Sequence, residues 1–215
     1  MSGAEVFTRI ARRYDRVNRI LSLGRDGAWR RRAIAHLPPG RVLDLGGGTG
    51  AANPDLGDRE IVALDPAPQM LALNPEDLRV VAYGESLPFA DGTFDGVFSA
   101  YVFRNLTSVP GTLEEIHRVL RPGGVAAIVD LTRPTGRIAR RVHRMGTAVV
   151  VPAVGWLAGA REEYAYLHRS LDSLPPPEAM FAGGPLEVEA IWRMGLNGFV
   201  YGVALRKPAR PPTAR

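Results

Sequence analysis

A run of glycines directly after a short apolar strand constrains the fold of this chain more than any other feature. Residues 41–45 are mostly apolar and lead into the glycine-rich run 46–50, and a second apolar run, 61–64, ends at Asp65. Glycine allows a tight turn and a close approach of the backbone to a ligand. An acid at the end of the next strand can bind the hydroxyls of a ribose. The pattern therefore predicts a nucleoside-type cofactor at the ends of two neighbouring strands.

The residues of this loop discriminate among nucleoside cofactors. From Asp44 to Gly50 the sequence reads D-L-G-G-G-T-G, which is neither the G-x-G-x-x-G of dinucleotide-binding folds nor a phosphate-binding loop with G-K-S or G-K-T. A carboxylate beside the loop suits a cofactor with a cationic amine better than one with a pyrophosphate. S-adenosylmethionine carries an ammonium and a sulfonium group and has no phosphate. The loop therefore favours a methyltransferase.

Apolar runs and helical patterns alternate along the rest of the chain. Besides the two strands above, we predict strands at 78–82, 94–99, 125–129 and 200–205 and helices at 4–22, 28–36 and 113–120. This alternation is typical of an α/β domain with a mainly parallel sheet. The uncharged stretch 145–160 is shorter than the about 20 residues of a membrane span, so we interpret it as a buried or pocket-covering segment.

Composition bears on mechanism and partners. The chain has no cysteine, which excludes a thiolate nucleophile and fits a reducing, cytoplasmic compartment. Its net charge of +5 comes almost wholly from arginine, concentrated in 9–32 and 133–144. The arginine excess reflects either a genome rich in arginine codons or a surface that contacts an anionic partner, lipid or nucleic acid. The four histidines have no acids at ligand spacing, so we predict no metal site.

Longer motifs resemble one family of methyltransferases. They are Y-D-R-V-N-R-I-L-S at 14–22 with Trp29 behind it, F-R-N-L at 103–106, R-V-L-R-P-G-G at 118–124 followed by D-L-T at 130–132, and Y-A-Y-L-H-R-S at 164–170. The match runs from about Val6 to Pro208. The sequence resembles the menaquinone/ubiquinone biosynthesis C-methyltransferases, class I enzymes that use S-adenosylmethionine.

The resemblance implies an α/β fold with the Rossmann-like, seven-stranded sheet of class I methyltransferases, whose last strand is antiparallel. It implies a single domain over 1–208, with an N-terminal helical cap over 1–40, a substrate-covering helical insertion over 133–180, and a disordered tail at 209–215. The connection from Gly50 to Asp65 is compressed and includes Pro54 and Gly57. We therefore expect the helix after the glycine loop to be short or broken.

The resemblance also implies roles for individual residues. Arg104 would be the cation that favours a phenolate, and Asn105 and Tyr14 would orient the acceptor hydroxyl or a proton-accepting water. The cofactor would contact Asp44, Gly46, Gly48, Thr49, Gly50, Asp65, Pro66, Met70, Tyr83, Gly84, Glu85, Ser99 and Ala100. Tyr83 stands where the family has an Asp or Asn that contacts the adenine amine. Ala100 stands where the family has a serine, with Ser99 one place earlier.

The methyl acceptor has more than one candidate. The resemblance favours C-methylation of a quinol, with O- or C-methylation of another phenolic or lipid small molecule as the alternative; a degenerate, non-catalytic fold also stays open. A nucleic-acid substrate is disfavoured, because residues 99–102 read S-A-Y-V in place of the [DNS]-P-P-[YF] of base-amino methyltransferases and there is no cysteine. We expect a basic rim that contacts anionic lipid at the inner face of the membrane, and we keep a homodimer open.

Overall fold

Seven strands form one sheet. The computed structural model describes residue 19, residues 22–134 and 175–209, and the positions 136–138, 140, 141, 144–146 and 148. The strands are β1 Arg41–Leu45, β2 Glu60–Asp65, β3 Arg79–Val81, β4 Phe94–Ala100, β5 Leu120–Leu131, β6 Glu187–Met194 and β7 Val200–Arg206. Their order is β3-β2-β1-β4-β5-β7-β6. The first five strands pair in parallel, and β7 runs antiparallel to both β5 and β6. The predicted fold class is therefore confirmed.

The strand order reverses beside β1. The chain passes from β1 outward to β2 and β3, and then returns to add β4 on the other side of β1. In open parallel sheets a crevice forms at the carboxyl ends of the strands at this reversal, and ligands bind there. The glycine loop follows β1 directly, so the topology brings it to that crevice.

The described helices are short apart from two. They are α1 Asp26–Ile34, α2 Asn53–Leu56, α3 Pro68–Leu71, α4 Val109–Val119 and α5 Pro177–Met180, with 3₁₀ turns at Phe103–Asn105 and Leu196–Gly198. The predicted shortening after the glycine loop is confirmed, because α2 has only 4 residues. The predicted helices 28–36 and 113–120 are observed as α1 and α4 with shifted ends.

Helix α4 shows why its ends differ from the prediction. Ser108 caps the helix by accepting a hydrogen bond from the Gly111 amide at 3.1 Å, and Pro110 lies in the first turn, where a missing amide proton costs nothing. The helix therefore begins four positions before the apolar pattern becomes clear. It ends at Val119 because Leu120 already pairs with Phe94 of the sheet.

Two apolar layers enclose the sheet. Helix α4 packs on one face with the cluster that includes Ile116, Phe103 and Phe181, and α1 packs on the other face through Trp29 and Ile34. Because α1 belongs to the layer beside α2, the amino-terminal end of α1 comes close to the glycine loop. Within the described ranges, no helix is long and apolar enough to cross a membrane.

Several predictions concern residues that the structure does not describe. The predicted helix 4–22 is described only at residues 19 and 22, and the stretch 145–160 only at residues 145, 146 and 148. Most of the predicted insertion 133–180 and of the tail 209–215 also lies outside the described residues. The domain bounds therefore stay predictions.

Candidate active site

A cavity of about 320 Å³ lies at the crevice that the topology predicts. Its lining includes the carboxyl ends of β1, β2 and β4, the glycine loop, residues 83–85 after β3, and the turn after β4. Two side chains of α1, Asp26 and Arg30, complete one wall. The cavity is thus built mainly from connections at strand ends, where loop residues can change without loss of the sheet.

The glycine loop bends back under β2. The amides of Gly46 and Gly47 both donate to the carbonyl of Leu64, at 2.7 and 3.0 Å. Gly46 has a φ of 75°, and a Cβ there would lie 2.1 Å from the side chain of Val102. A side chain at this position would therefore collide with the turn after β4 as well as strain the backbone.

Three polar residues brace the loop from behind. The side-chain amide of Asn74 donates to the carbonyl of Gly48 at 3.2 Å. Asn53 in turn donates to Asn74 Oδ1 and to Glu76 Oε1, each at 3.0 Å. Asn53 and Asn74 are buried, so these bonds fix the loop where water cannot compete. Sequence reasoning missed this network, although Asn53 and Asn74 are the kind of residue that bonds to backbone in turns.

Asp44 is a buried carboxylate at the edge of the cavity. It is 2% exposed, and its Oδ2 makes no hydrogen bond to any described residue. Burial, together with the negative charges of Asp65 and Glu76, raises the pKa of Asp44 to about 7, while the charge of Arg30 opposes the shift. A carboxylate in this condition gains from a cation placed in the cavity, because the cation replaces the lost hydration.

Asp65 ends β2 and faces the same cavity. Its Oδ1 accepts from the Ala67 amide at 2.8 Å and its Oδ2 from the Gly48 amide at 3.2 Å. Burial raises the pKa of Asp65 to about 6, although these two amide donors act in the opposite direction. The two amides fix the orientation of the carboxylate, and each oxygen retains a lone pair for a ligand hydroxyl.

The loop after β3 forms the next part of the lining. Tyr83 lies at the rim with 59% of its surface exposed, whereas Met70 below it is buried. Glu85 accepts hydrogen bonds from the amides of Thr107 and Ser108 at 2.7 and 3.1 Å. Its carboxylate therefore ties this loop to the turn before α4 and closes that side of the cavity.

Tyr101 adopts an unusual backbone conformation at the end of β4. Its φ is 65°, in the left-handed region that costs a bulky residue about 1–3 kcal/mol. Its amide donates to the Val129 carbonyl at 2.7 Å, and its carbonyl accepts from Arg104 Nη1 at 2.9 Å and Asn105 Nδ2 at 3.2 Å. These hydrogen bonds stabilise the strained backbone conformation, and Tyr101 lines the cavity. The sequence carried no signal for this conformation.

The 3₁₀ turn Phe103–Asn105 contains two of the three predicted catalytic residues, and their side chains lie in different surroundings. Arg104 Nη1 donates to Asp130 Oδ1 at 2.8 Å, with the two side chains only 7% and 1% exposed, and Arg104 does not line the cavity. Asn105 does line it, and its Oδ1 is buried and makes no hydrogen bond to any described residue. Asn105 therefore offers an acceptor to a ligand, while the charge of Arg104 is balanced by Asp130.

Comparison with known proteins places the chain in a family. The model described as the ubiE/COQ5 methyltransferase family matches residues 2–183, most of the chain. The chain belongs to the ubiE/COQ5 methyltransferase family. The resemblance inferred from the motifs is therefore confirmed.

Named relatives and a solved structure agree with this membership. The chain is 38% identical over 193 residues to a demethylmenaquinone methyltransferase of Thermus thermophilus, covering 82% of this chain and 88% of the relative. It is 32% identical over 189 residues to the ubiquinone/menaquinone biosynthesis C-methyltransferase UbiE of Geotalea daltonii, covering 80% of each. A solved SAM-dependent methyltransferase of Thermotoga maritima superposes with a TM-score of 0.66 over 94% of this chain and 98% of that chain, at 16% identity, which supports the fold. This ubiE/COQ5 family member is an S-adenosylmethionine-dependent methyltransferase.

The cavity brings together most of the residues predicted from the sequence of this family member. Those that line it are Asp44, Gly46, Gly48, Thr49, Asp65, Pro66, Met70, Tyr83, Gly84, Glu85, Ala100 and Asn105. Three others lie outside the lining: Gly50, Ser99, whose hydroxyl donates to the Leu45 carbonyl at 2.9 Å, and Arg104. Tyr14 lies outside the described residues.

Sequence reasoning missed several lining residues, among them Arg19, Asp26, Arg30 and Tyr101. A signal existed for Arg19, which lies within the first motif, and for Arg30, which directly follows Trp29. Within the part of the chain that the structure describes, no three metal-ligating side chains come together.

Proposed function

We propose that this family member transfers a methyl group to a ring carbon of a quinol of the demethylmenaquinol type. The observation that carries the proposal is the buried Oδ1 of Asn105, an acceptor in the cavity lining with no described partner. A ring hydroxyl can donate to it and so be oriented. The name of the Thermus thermophilus relative supports a quinol as the molecule that carries this hydroxyl.

The cofactor half of the cavity fits S-adenosylmethionine. Asp44 would bind its ammonium, because the buried carboxylate lacks a partner for Oδ2. Asp65 would bind the ribose hydroxyls, and Met70 and Tyr83 would flank the adenine ring. When bound, S-adenosylmethionine would supply a methyl group on a positively charged sulfur, and the neutral thioether is a good leaving group for transfer of that methyl to the ring carbon.

The turn after β4 would present the acceptor. Asn105 would accept a hydrogen bond from the neutral ring hydroxyl and so orient the ring. The hydroxyl would then turn its hydrogen to a water molecule that takes the proton, and the resulting phenolate has higher electron density on its ring carbons. Arg104 positions the turn by donating to the Tyr101 carbonyl, while its own charge is balanced by Asp130 outside the cavity lining. The ring proton leaves to water after the methyl group has bound. Tyr14 stays a predicted partner of this hydroxyl.

The test is a product assay on the purified protein. With S-adenosylmethionine and a short-tailed demethylmenaquinol, mass spectrometry should detect a gain of one methyl group on carbon. Asn105→Ala should lose most turnover and retain cofactor affinity, and Asn105→Asp, which keeps an acceptor oxygen, should recover part of it. Arg104→Ala should likewise lose turnover with nearly unchanged cofactor affinity. Methylation of a phenol panel without methylation of the quinol would contradict the proposal.

We also propose that the segment after β5 contacts anionic lipid, where an isoprenoid-tailed quinol resides. The described residues include exposed apolar side chains at Ile138 and Met145, which are 82% and 65% exposed. Exposed arginines are interspersed with them at 137, 140, 141 and 144. A basic surface with apolar side chains is typical of proteins that bind at the membrane interface.

Vesicle sedimentation tests this contact. Vesicles with phosphatidylserine should retain the protein more strongly than vesicles of phosphatidylcholine alone, since each arginine near an anionic surface contributes about 1 kcal/mol. Arg140→Glu/Arg141→Glu should weaken retention roughly tenfold or more. Arg31→Glu, a control on α1, should have little effect. Retention that is independent of anionic lipid would contradict the proposal.

A further inference from the structure

The charges in the cavity leave one part of the cofactor without a described partner. The amino-acid end of S-adenosylmethionine carries a carboxylate next to its ammonium. Four carboxylates, those of Asp26, Asp44, Asp65 and Glu85, already line the cavity. A further negative charge in this buried space is unfavourable unless a cation receives it.

Arg30 is a cation suited to this role. It lies on α1 with its side chain 12% exposed, and it lines the cavity. Its Nη1 donates to Asp26 Oδ2 at 2.9 Å, and its Nε lies 3.8 Å from Asp55 Oδ2. Nε is buried and makes no hydrogen bond to any residue that the structure describes. The charge of Arg30 also reaches Asp44, where it opposes the rise of the pKa.

We propose that Arg30 binds the carboxylate of S-adenosylmethionine. A guanidinium has five N–H donors in a planar fork, and Asp26 takes one of them. The remaining donors can bind a carboxylate in the two-point geometry that arginine favours. Asp26 and Asp55 orient the side chain from both sides, so little conformational entropy is lost when the cofactor binds.

This assignment makes α1 part of the cofactor site. Asp44 and Arg30 then form a matched pair, one for the ammonium and one for the carboxylate of the same amino-acid group. Because Asp55 lies on α2, directly after the glycine loop, Arg30 links the N-terminal helical layer to that loop. Cofactor binding should therefore reinforce the contact between α1 and α2.

Binding of decarboxylated S-adenosylmethionine tests the assignment without any methyl acceptor. Calorimetric titration at pH 8 should give wild-type protein a preference of roughly 10- to 100-fold for the intact cofactor, the usual gain from hydrogen bonds to charged groups. Arg30→Met should bring the two ligands to nearly equal affinity. Arg30→Lys should retain part of the preference, since it keeps the charge without the fork. Because no acceptor is present, the outcome is independent of the quinol proposal.

Matched variants separate a direct contact from a structural effect. Arg31→Met removes the neighbouring cation, which contacts Asp55 at 3.3 Å, and should keep the full preference. If Arg30→Met lowered the affinities for both ligands by the same factor, the proposal would be overturned, because Arg30 would then have a structural role. Loss of the preference in Arg19→Met alone would assign the carboxylate to Arg19 and also overturn it. Wild-type protein without any preference would overturn it even if Arg30→Met did not fold.

Discussion

Cofactor binding should depend on pH, because Asp44 must lose its proton before it can pair with the cofactor ammonium. Burial and the negative charge of Asp65 together raise the pKa of Asp44 to about 7 in the free protein. Burial likewise raises the pKa of Asp65 to about 6. A bound cation and ribose hydroxyls favour the charged forms and return both pKa values toward the ordinary range.

The size of the effect follows from these two pKa values. Asp44 is protonated in about nine tenths of free molecules at pH 6 and in about one tenth at pH 8. The apparent affinity should therefore rise about 10-fold between these pH values through Asp44, and about twofold more through Asp65. The α-amino group of the free cofactor has an ordinary pKa of about 7.8, so more than half of it is uncharged at pH 8, which offsets about 2.5-fold of this gain. The net change of roughly 8-fold corresponds to about 1.2 kcal/mol of binding free energy.

Isothermal titration calorimetry measures both the affinity and the proton that binding releases. At pH 7, about half a proton should leave Asp44 for each cofactor bound, so the observed enthalpy should differ between buffers with different ionisation enthalpies. Asp44→Asn should weaken binding and leave almost no pH dependence, because the about twofold gain from Asp65 and the loss of the cofactor's ammonium nearly cancel. Asp58→Asn, which alters an exposed acid outside the cavity lining, should retain the full profile.

The same pKa shift also makes the stability of the free protein depend on pH. Whereas the affinity for the cofactor should rise with pH through Asp44, the contribution of Asp44 to stability should fall. Because the pKa of Asp44 is higher in the folded than in the unfolded chain, its contribution to stability is complete below about pH 4 and is lost as the pH rises through about 7. Asp44→Asn removes that loss and should stabilise the free protein at pH 8 by on the order of 2–4 kcal/mol, with little gain at pH 4. A wild-type dissociation constant that stays constant from pH 6 to 8, with equal enthalpies in all buffers, would refute the reasoning.

Three further predictions concern groups around the cavity. Arg104→Met alone or Asp130→Leu alone should lower the free energy of unfolding, measured with urea, by about 3–5 kcal/mol, because each leaves a buried charge unpaired. The double variant should recover most of this stability but not the turnover. Asn74→Ala should lower the free energy of unfolding by about 1–3 kcal/mol and weaken cofactor binding measured by fluorescence titration. An unchanged stability together with an unchanged cofactor affinity would contradict the role of Asn74 in fixing the loop. Gly50→Ala should lower the melting temperature in scanning calorimetry, because φ is 82° and the added Cβ would lie within 3.0 Å of three side chains.

The sequence predicted the sheet well where strands are buried and poorly where they are exposed. The run 94–99 is buried at five of its six positions because β4 lies between β1 and β5, so its pattern was clear. Strand β6, Glu187–Met194, was missed because it lies at the edge of the sheet, and its first three residues are exposed. An edge strand needs no continuous apolar run, so only its pairing with β7 reveals it.

The cofactor half of the site was more predictable than the acceptor half. Asp44 and Asp65 could be placed because the carboxyl ends of neighbouring parallel strands meet at one edge of a sheet. The pairing of Arg104 with Asp130 could not be predicted, because the two residues lie 26 positions apart and meet only when β4 and β5 pair. Tyr101 was missed for a similar reason, since long-range hydrogen bonds hold its left-handed conformation.

The shortened connection after the glycine loop does not by itself loosen the cofactor site. Helix α2 has 4 residues, too few to fix the loop through helical hydrogen bonds alone. Its first residue, Asn53, instead connects to Asn74, which donates to the Gly48 carbonyl, and its third, Asp55, contacts Arg30. A ligand at the loop requires fixed backbone groups and a correctly placed charge, and buried side-chain hydrogen bonds can supply both. The chain can therefore lose helix length here and still keep the geometry that binds the cofactor.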